Sequence, residues 1–274
     1  MKNKIYQIYY SNETKVANDQ GFLQLDNLAN DRPDWREYWP IRKFLLNNQL
    51  DDDTRYGFFS PKFKEKTDLE ANSVMNFVEN DDSDVIIFSP YFVQSALYFN
   101  VFEQQEEAHP GSVAIACQCL KEIYPEVNIF TILMDARSTV FCNYFVAKKY
   151  FWMKWFECCE KIFAIAENNN SPLAKALNSH VEHESATAPL KVFIVERIAS
   201  LLIEKESIKT KTYNNMEFKN ADKIWDEFKN ELVILEALKI ACKSTGFENF
   251  MAVFDSERVM LLKKIKKRIE ITHN

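Results

Sequence analysis

Apolar runs of strand length alternate with stretches of helical periodicity along most of the chain. The runs KIYQIYY, RYGFFS and VIIFS predict three strands, and VNIFTILM at 127–134 and CNYFVAK at 142–148 predict two more. Apolar residues at helical spacing predict helices at about 35–47, 68–79, 90–108, 112–123 and 148–167, and Asp34 is a candidate cap for the first. Strands that alternate with helices usually pair in parallel, so the pattern predicts an α/β fold with a mostly parallel central sheet flanked by helices.

The last part of the chain has a different pattern. Residues 168–190 are polar, the apolar run LKVFIVERIASLLIE follows them, and helical spacing then predicts helices at 221–243 and 256–270. We therefore expect two units, a sheet-containing unit at 1–204 and a helical carboxyl-terminal extension packed on it at 205–274.

Composition excludes several classes of protein. The 274 residues include only 4 glycines, and neither a Gly-rich phosphate loop nor a GxSxG motif occurs, which argues against dinucleotide-binding folds, P-loop NTPases, α/β-hydrolases and methyltransferases. A net charge of −6 argues against general affinity for nucleic acid. The sequence shows neither a secretory leader nor an apolar run of about 18 residues, so we expect a cytoplasmic protein.

Residues that commonly bind metals lack convincing metal-site spacing. The six cysteines lie mostly in apolar segments, which favours buried hydrophobic side chains over zinc ligands. The acidic stretches DDD at 51–53 and DDSD at 81–84 offer Asp-x-Asp spacing, but DDSD precedes its strand, and solvated turns explain both better. His180 and His183 lie in a polar segment and are interpreted as surface residues.

Two acids are candidates for a general base. Glu196 stands beside Arg197 inside an apolar run, where it is either a catalytic carboxylate or part of a buried salt bridge to a neighbouring helix. Asp135 directly follows the predicted strand at 127–134, and α/β folds bind ligands at the carboxyl ends of parallel strands. The tetrapeptide Asp-Ala-Arg-Ser also suits a turn or a helix cap, so Asp135 keeps two interpretations.

A basic segment lies near the end of the chain. KKIKKR at 263–268 stands among apolar residues at helical spacing and predicts an amphipathic helix with a cationic face. Such a face can bind anionic lipid headgroups, or it can be an ordinary solvated surface.

Several motifs, taken in order over roughly residues 4–204, resemble bacterial GT-A-type glycosyltransferases of capsule and lipopolysaccharide synthesis. The first strand is followed by Asp26-Asn27, then by a helix with Glu37, Tyr38 and Arg42, and then by the Tyr-Gly strand at 56–60. Later, CNYFVAK leads into an aromatic helix, and an apolar run at 193–197 ends in Glu-Arg. The order of these motifs is more specific than any one of them.

This resemblance implies transfer of a sugar from a nucleotide-activated donor to a glycan or lipid-linked acceptor. It assigns Glu196 as the base of an inverting displacement, with Asp135 as the other candidate. Donor binding is assigned to Tyr10, Ser11, Asp26, Asn27, Glu37, Arg42, Tyr56, Ser60, Lys62 and Arg137. Acceptor binding is assigned to Asn143, Lys148 and Arg197.

The chain departs from the group at the metal motif. After VIIFS, where many members have Asp-x-Asp, this sequence has Ser89-Pro90-Tyr91. The diphosphate charge would then be balanced by cations such as Arg42, Lys62, Arg137 or Lys148 without a metal, with Mn²⁺ or Mg²⁺ left open. The departure also supports an alternative, a non-catalytic relative that binds a glycan or a partner enzyme in a polysaccharide assembly complex. An enzyme with the basic tail would act as a peripheral protein at the inner membrane.

Overall fold

The computed structural model describes residues 1–168, 171–183, 186–206, 208–218 and 223–272. The strands are β1 (Lys2–Tyr9), β2 (Leu23–Asp26), β3 (Thr54–Phe59), β4 (Val85–Ile87), β5 (Phe145–Lys148), β6 (His180–His183), β7 (Ala186–Pro189) and β8 (Thr210–Thr212). The helices are α1 (Asn12–Ala17), α2 (Tyr38–Asn47), α3 (Phe63–Thr67), α4 (Ala71–Val78), α5 (Phe92–Leu97), α6 (Val101–Ala108), α7 (Ser112–Lys121), α8 (Lys149–Glu167), α9 (Pro172–Asn178), α10 (Leu190–Lys205), α11 (Ile224–Glu227), α12 (Lys229–Thr245) and α13 (Asn249–Thr272). Short 3₁₀ turns occupy Pro33–Trp35, Ile129–Thr131 and Asn215–Glu217.

The described strands form a central sheet in the order β2-β1-β3-β5-β4-β8 and a separate β6-β7 hairpin. β1 pairs in parallel with both β2 and β3, and β4 pairs in parallel with β8. β5 runs antiparallel to its neighbours β3 and β4. The predicted α/β class with a mostly parallel sheet is confirmed.

Both faces of the sheet are covered by helices. Phe58 and Phe145 enter the larger core with residues of α2, α8 and α10, whereas their chain neighbours Phe59 and Val146 enter a second core with residues of α3 and α4. Successive strand residues point to opposite faces, which explains why these strands are continuous apolar runs. Gly57 allows β3 and β5 to lie this close, because a Cβ there would be 2.9 Å from Cγ2 of Val146.

The carboxyl-terminal part is helical, as predicted. Apolar residues of α12 and α13, among them Leu235 and Phe254, share a third core with Phe92 and Ala96 of α5. The extension also contributes β8, which completes one edge of the sheet. The predicted helices at 221–243 and 256–270 correspond to α12 and α13, although residues 221 and 222 lie outside the described residues. In the described part of the chain, no helix combines the length and apolar character needed to cross a membrane.

The strand predicted at 127–134 is wrong. The chain forms a 3₁₀ turn there, in which the Asn128 side chain accepts a hydrogen bond from the Phe130 N–H at 3.1 Å. Nδ2 of Asn100 donates to the carbonyl oxygens of Ile129 and Ile132 at 2.9 and 2.8 Å. Two asparagine side chains therefore bind backbone groups that a strand would have paired, and Phe130 is left 72% exposed.

Two helix predictions also need correction. The single helix expected at 90–108 is divided into α5 and α6, because Asn100 caps α6 by accepting hydrogen bonds from the N–H groups of Phe102 and Glu103. Asp34 does not cap α2, which begins at Tyr38 after a separate 3₁₀ turn. The Asp34 carboxylate instead accepts hydrogen bonds from Arg32 and Lys191.

Candidate functional site

A cleft of about 780 Å³ opens at one edge of the central sheet. Its floor is formed where β1 and β3 end and where β5 begins, since an antiparallel strand brings its amino end to the carboxyl edge of its neighbours. The walls are residues 30–38, the first turns of α10 and the β6-β7 hairpin. This is the edge at which open α/β sheets usually bind ligands.

The fold brings several predicted site residues together at this cleft. Its lining includes Tyr10, Glu37, Ser60, Lys62, Asn143 and Glu196. His180, predicted to be a surface residue, is exposed and also lines the cleft, whereas the His183 side chain lies outside the described residues. Residues that are far apart in sequence thus share one cavity.

Tyr10 and Glu37 form a hydrogen-bonded pair on one wall. The Tyr10 hydroxyl donates to Oε1 of Glu37 at 3.1 Å. Burial and the nearby carboxylate raise the pKa of Tyr10 well above its usual value, so the phenol remains a neutral donor at physiological pH. The neighbouring Ser11 is used differently, because its hydroxyl accepts the Thr14 N–H at 3.2 Å and caps α1.

A second group of polar residues lies at the floor of the cleft. The hydroxyl groups of Ser60 and Tyr144 are 2.5 Å apart, and Nζ of Lys66 donates to Sγ of Cys142 at 3.3 Å. Burial raises the pKa of the Cys142 thiol to about 12, so the sulfur is neutral at physiological pH. Lys66 has no ion pair within 4.0 Å among the described residues, so its charge faces a neutral thiol.

The turn before β5 has an unusual backbone. Cys142 and Asn143 both have positive φ, at 59° and 54°, a region that costs energy for residues other than glycine. Asn143 is only 4% exposed, and its Oδ1 accepts no hydrogen bond from the described residues. A buried acceptor without a partner costs about 1–3 kcal/mol, so the side-chain oxygen of Asn143 lowers the stability of the folded protein.

Glu196 lies on α10 and faces both the cleft and a buried arginine. Its Oε2 is 2.8 Å from Nη1 of Arg197, whose second arm donates to Gln104 at 2.9 Å. The Arg197 side chain is 4% exposed, and burial lowers its pKa although Glu196 opposes the change. This pair joins adjacent residues of α10, whereas the salt bridge considered from the sequence was to a neighbouring helix, and the Glu196 carboxylate also lines the cleft.

The structure places the remaining predicted donor residues outside the cleft lining. Asp26 ends β2 and Asn27 follows it, and Oδ1 of Asp26 accepts the Leu28 N–H at 2.8 Å. Arg42 donates from two nitrogens to Glu160 of α8, at 2.7 and 2.9 Å. The Asp26 and Arg42 side chains thus bind other groups of the protein.

Other predicted residues lie near the opposite edge of the sheet. Tyr56 is buried near the start of β3, and its hydroxyl accepts the Asp51 N–H at 2.9 Å. Lys148 ends β5 and pairs with Asp84 at 2.8 Å, while the neighbouring Asp82 pairs with Lys209 at 2.6 Å. The acidic stretch at 81–84 therefore belongs to a turn on the side away from the cleft, as its position before β4 predicted.

Asp135 belongs to a charged cluster between the sheet and α12. It is fully buried, accepts two or more hydrogen bonds from Arg137 and lies 3.6 Å from Nζ of Lys243. Glu236 accepts the Ala136 N–H at 2.5 Å beside it. Asp135 was chosen because it should follow a parallel strand, and that reason is lost because the predicted strand at 127–134 does not form.

The carboxylates at the cleft are already bound to protein groups. Glu37 accepts from Tyr10, Asp34 from Arg32 and Lys191, and Glu196 from Arg197. The described residues contain no group of three or more His, Cys, Asp or Glu side chains that could hold a metal ion. This donor set does not fit an Mn²⁺ or Mg²⁺ site of the kind the resemblance left open.

Two cations at the cleft were missed from the sequence. Lys66 follows β3 in PKFKEK, so the preference of α/β folds for ligands at the carboxyl ends of strands could have found it. Arg36 has φ 47°, is exposed, and donates from Nη2 to the Thr187 carbonyl at 3.4 Å. That contact depends on the β6-β7 hairpin, which the polar pattern of 168–190 did not predict.

Comparison with known proteins adds no relative. No family model, no curated protein and no solved structure matches this chain. The geometry of the cleft is therefore the main guide to function.

Proposed function

We propose that this protein is a GT-A-type glycosyltransferase that moves a sugar from a nucleotide-activated donor to a glycan or lipid-linked acceptor in bacterial surface polysaccharide synthesis. One observation carries the proposal. The cleft at the carboxyl edge of the parallel strands is lined by Glu196 together with other residues to which the sequence motifs assign donor and acceptor binding.

The size and charge of the cleft support this function. A cavity of about 780 Å³ is within the range of ligand sites, roughly 300–1,000 Å³, and can hold a nucleotide joined to a sugar. Lys62 and Arg36 at the cleft supply positive charge for a diphosphate. The donor set does not fit a divalent ion, so these side chains carry the electrostatic role in the proposal.

The proposed reaction is a single inverting displacement. The acceptor hydroxyl oxygen forms a bond to the anomeric carbon while the bond from that carbon to the phosphate oxygen breaks. The nucleoside diphosphate leaves with the bonding electron pair, and the hydroxyl proton passes to the carboxylate of Glu196. Tyr10 donates its hydroxyl proton to Glu37, so its oxygen can accept a hydrogen bond from a hydroxyl group of the bound substrate.

One observation favours a second candidate. Oε2 of Glu196 already accepts a hydrogen bond from the buried Arg197, so this oxygen has a partner within the protein. A non-catalytic protein that binds a glycan or a partner enzyme would keep the cleft without needing the base.

Nucleotide binding tests the enzyme proposal. Isothermal titration with a panel of nucleoside diphosphates and the matching nucleosides, with and without Mn²⁺, should show binding of at least one diphosphate at micromolar to millimolar concentration. Turnover would then be measured as release of that nucleoside diphosphate from its sugar derivatives. A protein that binds no nucleotide at millimolar concentration is not a nucleotide-sugar transferase, and binding of glycan alone would support the non-catalytic candidate.

We also propose that α13 holds the protein at an anionic membrane surface. Lys264 and Arg268 pair with Glu231 and Glu227 of the helical extension, at 3.0 and 2.8 Å. The lysines at 263, 266 and 267 are exposed and make no ion pair with the described residues, and exposed apolar side chains such as Met260 lie on the same helix. An amphipathic helix with free cations and exposed apolar residues fits anionic headgroups.

Vesicle sedimentation tests this second proposal. The triple variant K263Q/K266Q/K267Q should bind vesicles with anionic lipid roughly 100-fold more weakly, since each cation contributes about 1 kcal/mol. The control K121Q/K175Q/K205Q removes the same charge from other exposed positions and should bind like the wild type. Equal binding by both variants, or equal binding to neutral vesicles, would reject the membrane contact.

A further inference from the structure

Lys66 and Asn143 approach the same point at the floor of the cleft. Nζ of Lys66 is 3.3 Å from Sγ of Cys142, and Asn143 is the next residue in the chain. All three residues line the cavity, although Oδ1 of Asn143 itself is buried beneath its surface.

The charge of Lys66 is poorly compensated by the protein. Its neighbours are the neutral thiol of Cys142 and the phenol of Tyr91, whose ring centre lies 5.6 Å from Nζ, and no carboxylate lies within ion-pair distance in the described residues. A partly buried ammonium normally has an anionic partner. A ligand that carries negative charge would provide one.

Asn143 has the opposite requirement. Its Oδ1 is a buried acceptor without a donor among the described residues, in a backbone conformation that costs energy. A rotation of the amide about its Cβ–Cγ bond would bring Oδ1 to the cavity, where a hydroxyl group of a ligand could donate to it. A ligand that satisfies both residues would therefore carry a negative charge and a neighbouring hydroxyl group.

We propose that Lys66 and Asn143 form a subsite for a glycosyl phosphate, in which the ammonium binds a phosphate oxygen and the amide oxygen accepts a hydrogen bond from a sugar hydroxyl. This inference rests on the proposed function and deepens it, because it locates the sugar-phosphate linkage of the donor. Glu196, the candidate base, lines the same cavity as Lys66 and Asn143.

Isothermal titration with inorganic pyrophosphate, a panel of sugar 1-phosphates and nucleosides tests the subsite. Lys66→Met should weaken binding of every phosphate-containing probe by about 10- to 100-fold, the contribution of a charge-assisted hydrogen bond, and leave nucleoside binding unchanged. Lys64→Met is the matched control, because Lys64 is on the same helix, is exposed and pairs with Glu70. Lys66→Arg keeps the charge and should retain most of the affinity, which separates loss of charge from loss of folding.

Asn143→Gly tests the second half of the subsite. Glycine tolerates the positive φ, so the variant removes the amide without new backbone strain. The variant should lose more affinity for sugar 1-phosphates than for pyrophosphate. The control Asn80→Gly changes an exposed asparagine with φ 55° and should alter neither.

The outcomes separate this inference from the function it rests on. If Lys66→Met and Lys64→Met bind pyrophosphate like the wild type, or if the wild type binds no phosphate probe at millimolar concentration, the subsite is wrong. If a nucleoside diphosphate binds with no dependence on Lys66, the proposed function stands and the subsite falls. If phosphate probes bind through Lys66 but no nucleoside diphosphate binds more tightly than pyrophosphate, the subsite stands and the nucleotide-sugar function falls.

Discussion

The floor of the cleft and the charged cluster at α12 differ in the partners that they give to their lysines. In the cluster, fully buried Lys239 donates to the carbonyl oxygens of Ser95, Tyr98 and Met134 and lies 3.5 Å from Oε2 of Glu236. In the cleft, Asn143 keeps an acceptor without a donor, and Lys66 faces a thiol. The cluster also contains an acceptor without a hydrogen bond from the described residues, Oε2 of Glu236, so the contrast lies in the lysines: Lys239 has a carboxylate 3.5 Å away, whereas Lys66 has none within ion-pair distance in the described residues.

This difference separates a structural role from a functional one. Partners that are complete in the folded protein stabilise it and leave little for a ligand to gain. Missing partners and positive φ values at 142 and 143 cost stability that the rest of the fold must offset. Buried charge by itself is therefore a poor guide to a site, whereas buried charge that lacks partners is a good one.

Glu196 gives the sharpest test of the comparison because it borders the cleft and also pairs with Arg197. Glu196→Gln keeps an acceptor for Arg197 but cannot accept a proton, so we expect sugar transfer to fall roughly 100- to 10,000-fold with nucleotide affinity unchanged. Steady-state rates and isothermal titration measure the two quantities. Glu157→Gln, an exposed change on α8, is the control. Lost stability with retained turnover would place Glu196 among the structural ion pairs.

A change in the charged cluster around Lys239 should lower the stability of the protein and leave ligand binding unchanged. Lys239→Met leaves the buried Glu236 carboxylate without its cation, so the free energy of unfolding should fall by about 3–5 kcal/mol. Urea unfolding measures this, with exposed Lys229→Met on the same helix as the control. The double variant with Glu236→Leu should recover much of the loss, because both charges are then absent. A loss of ligand affinity without a loss of stability would contradict the structural role.

Much of the fold could be predicted because its physical basis is local. The central strands are buried on both faces, so they read as continuous apolar runs, and α8 carries its apolar residues at helical spacing. The antiparallel direction of β5 could not be predicted from the sequence, because the pattern of apolar and polar side chains is the same whichever way a strand runs in the sheet. The prediction at 127–134 was wrong because Asn100, distant in sequence, binds its carbonyl groups.

The site was predictable to the extent that it follows strand ends. Tyr10, Ser60 and Lys62, which the resemblance assigned to donor binding, follow β1 and β3 and line the cleft, where α/β sheets usually bind ligands. Arg42 and Lys148 were assigned from motifs of the same resemblance and as cations for the diphosphate, and the fold pairs them with Glu160 and Asp84 outside the cleft lining. The charge of a residue can be read from sequence, but its partners cannot.

Asp34 combines features of the cleft and of the charged cluster. It lines the cleft, and its carboxylate is paired with Arg32 and Lys191. Burial alone would raise its pKa, but Arg32 and Lys191 lower it to about 2 from the usual 3.8. A lowered carboxylate pKa stabilises the folded state above the unfolded pKa, and this contribution is lost as pH falls toward about 2. The carboxylate is about a third exposed, so we expect Asp34→Asn to cost only about 1 kcal/mol at neutral pH.

Urea unfolding at several pH values measures this effect. The difference between wild type and Asp34→Asn should be largest at neutral pH and shrink between about pH 4 and pH 2, as Asp34 becomes protonated in the wild type. Asp68→Asn, an exposed change, is the control. A difference that stays constant over this range would mean that the pairing with Arg32 and Lys191 does not stabilise the protein.

The backbone at Arg36 gives the smallest expected effect on stability. It tests whether the wall of the cleft is held in a strained conformation. Arg36 has φ 47° and ψ −135°, a combination that a side chain disfavours and that glycine accepts. Arg36→Gly should therefore be more stable than Arg36→Ala by about 1 kcal/mol, since both remove the exposed side chain but only glycine relieves the strain. Part of this gain is offset by the greater freedom of glycine in the unfolded chain. Urea midpoints of the two variants measure the difference. If alanine is as stable as glycine, the backbone at this wall is unstrained, and the contrast with the α12 cluster rests on unsatisfied side chains alone.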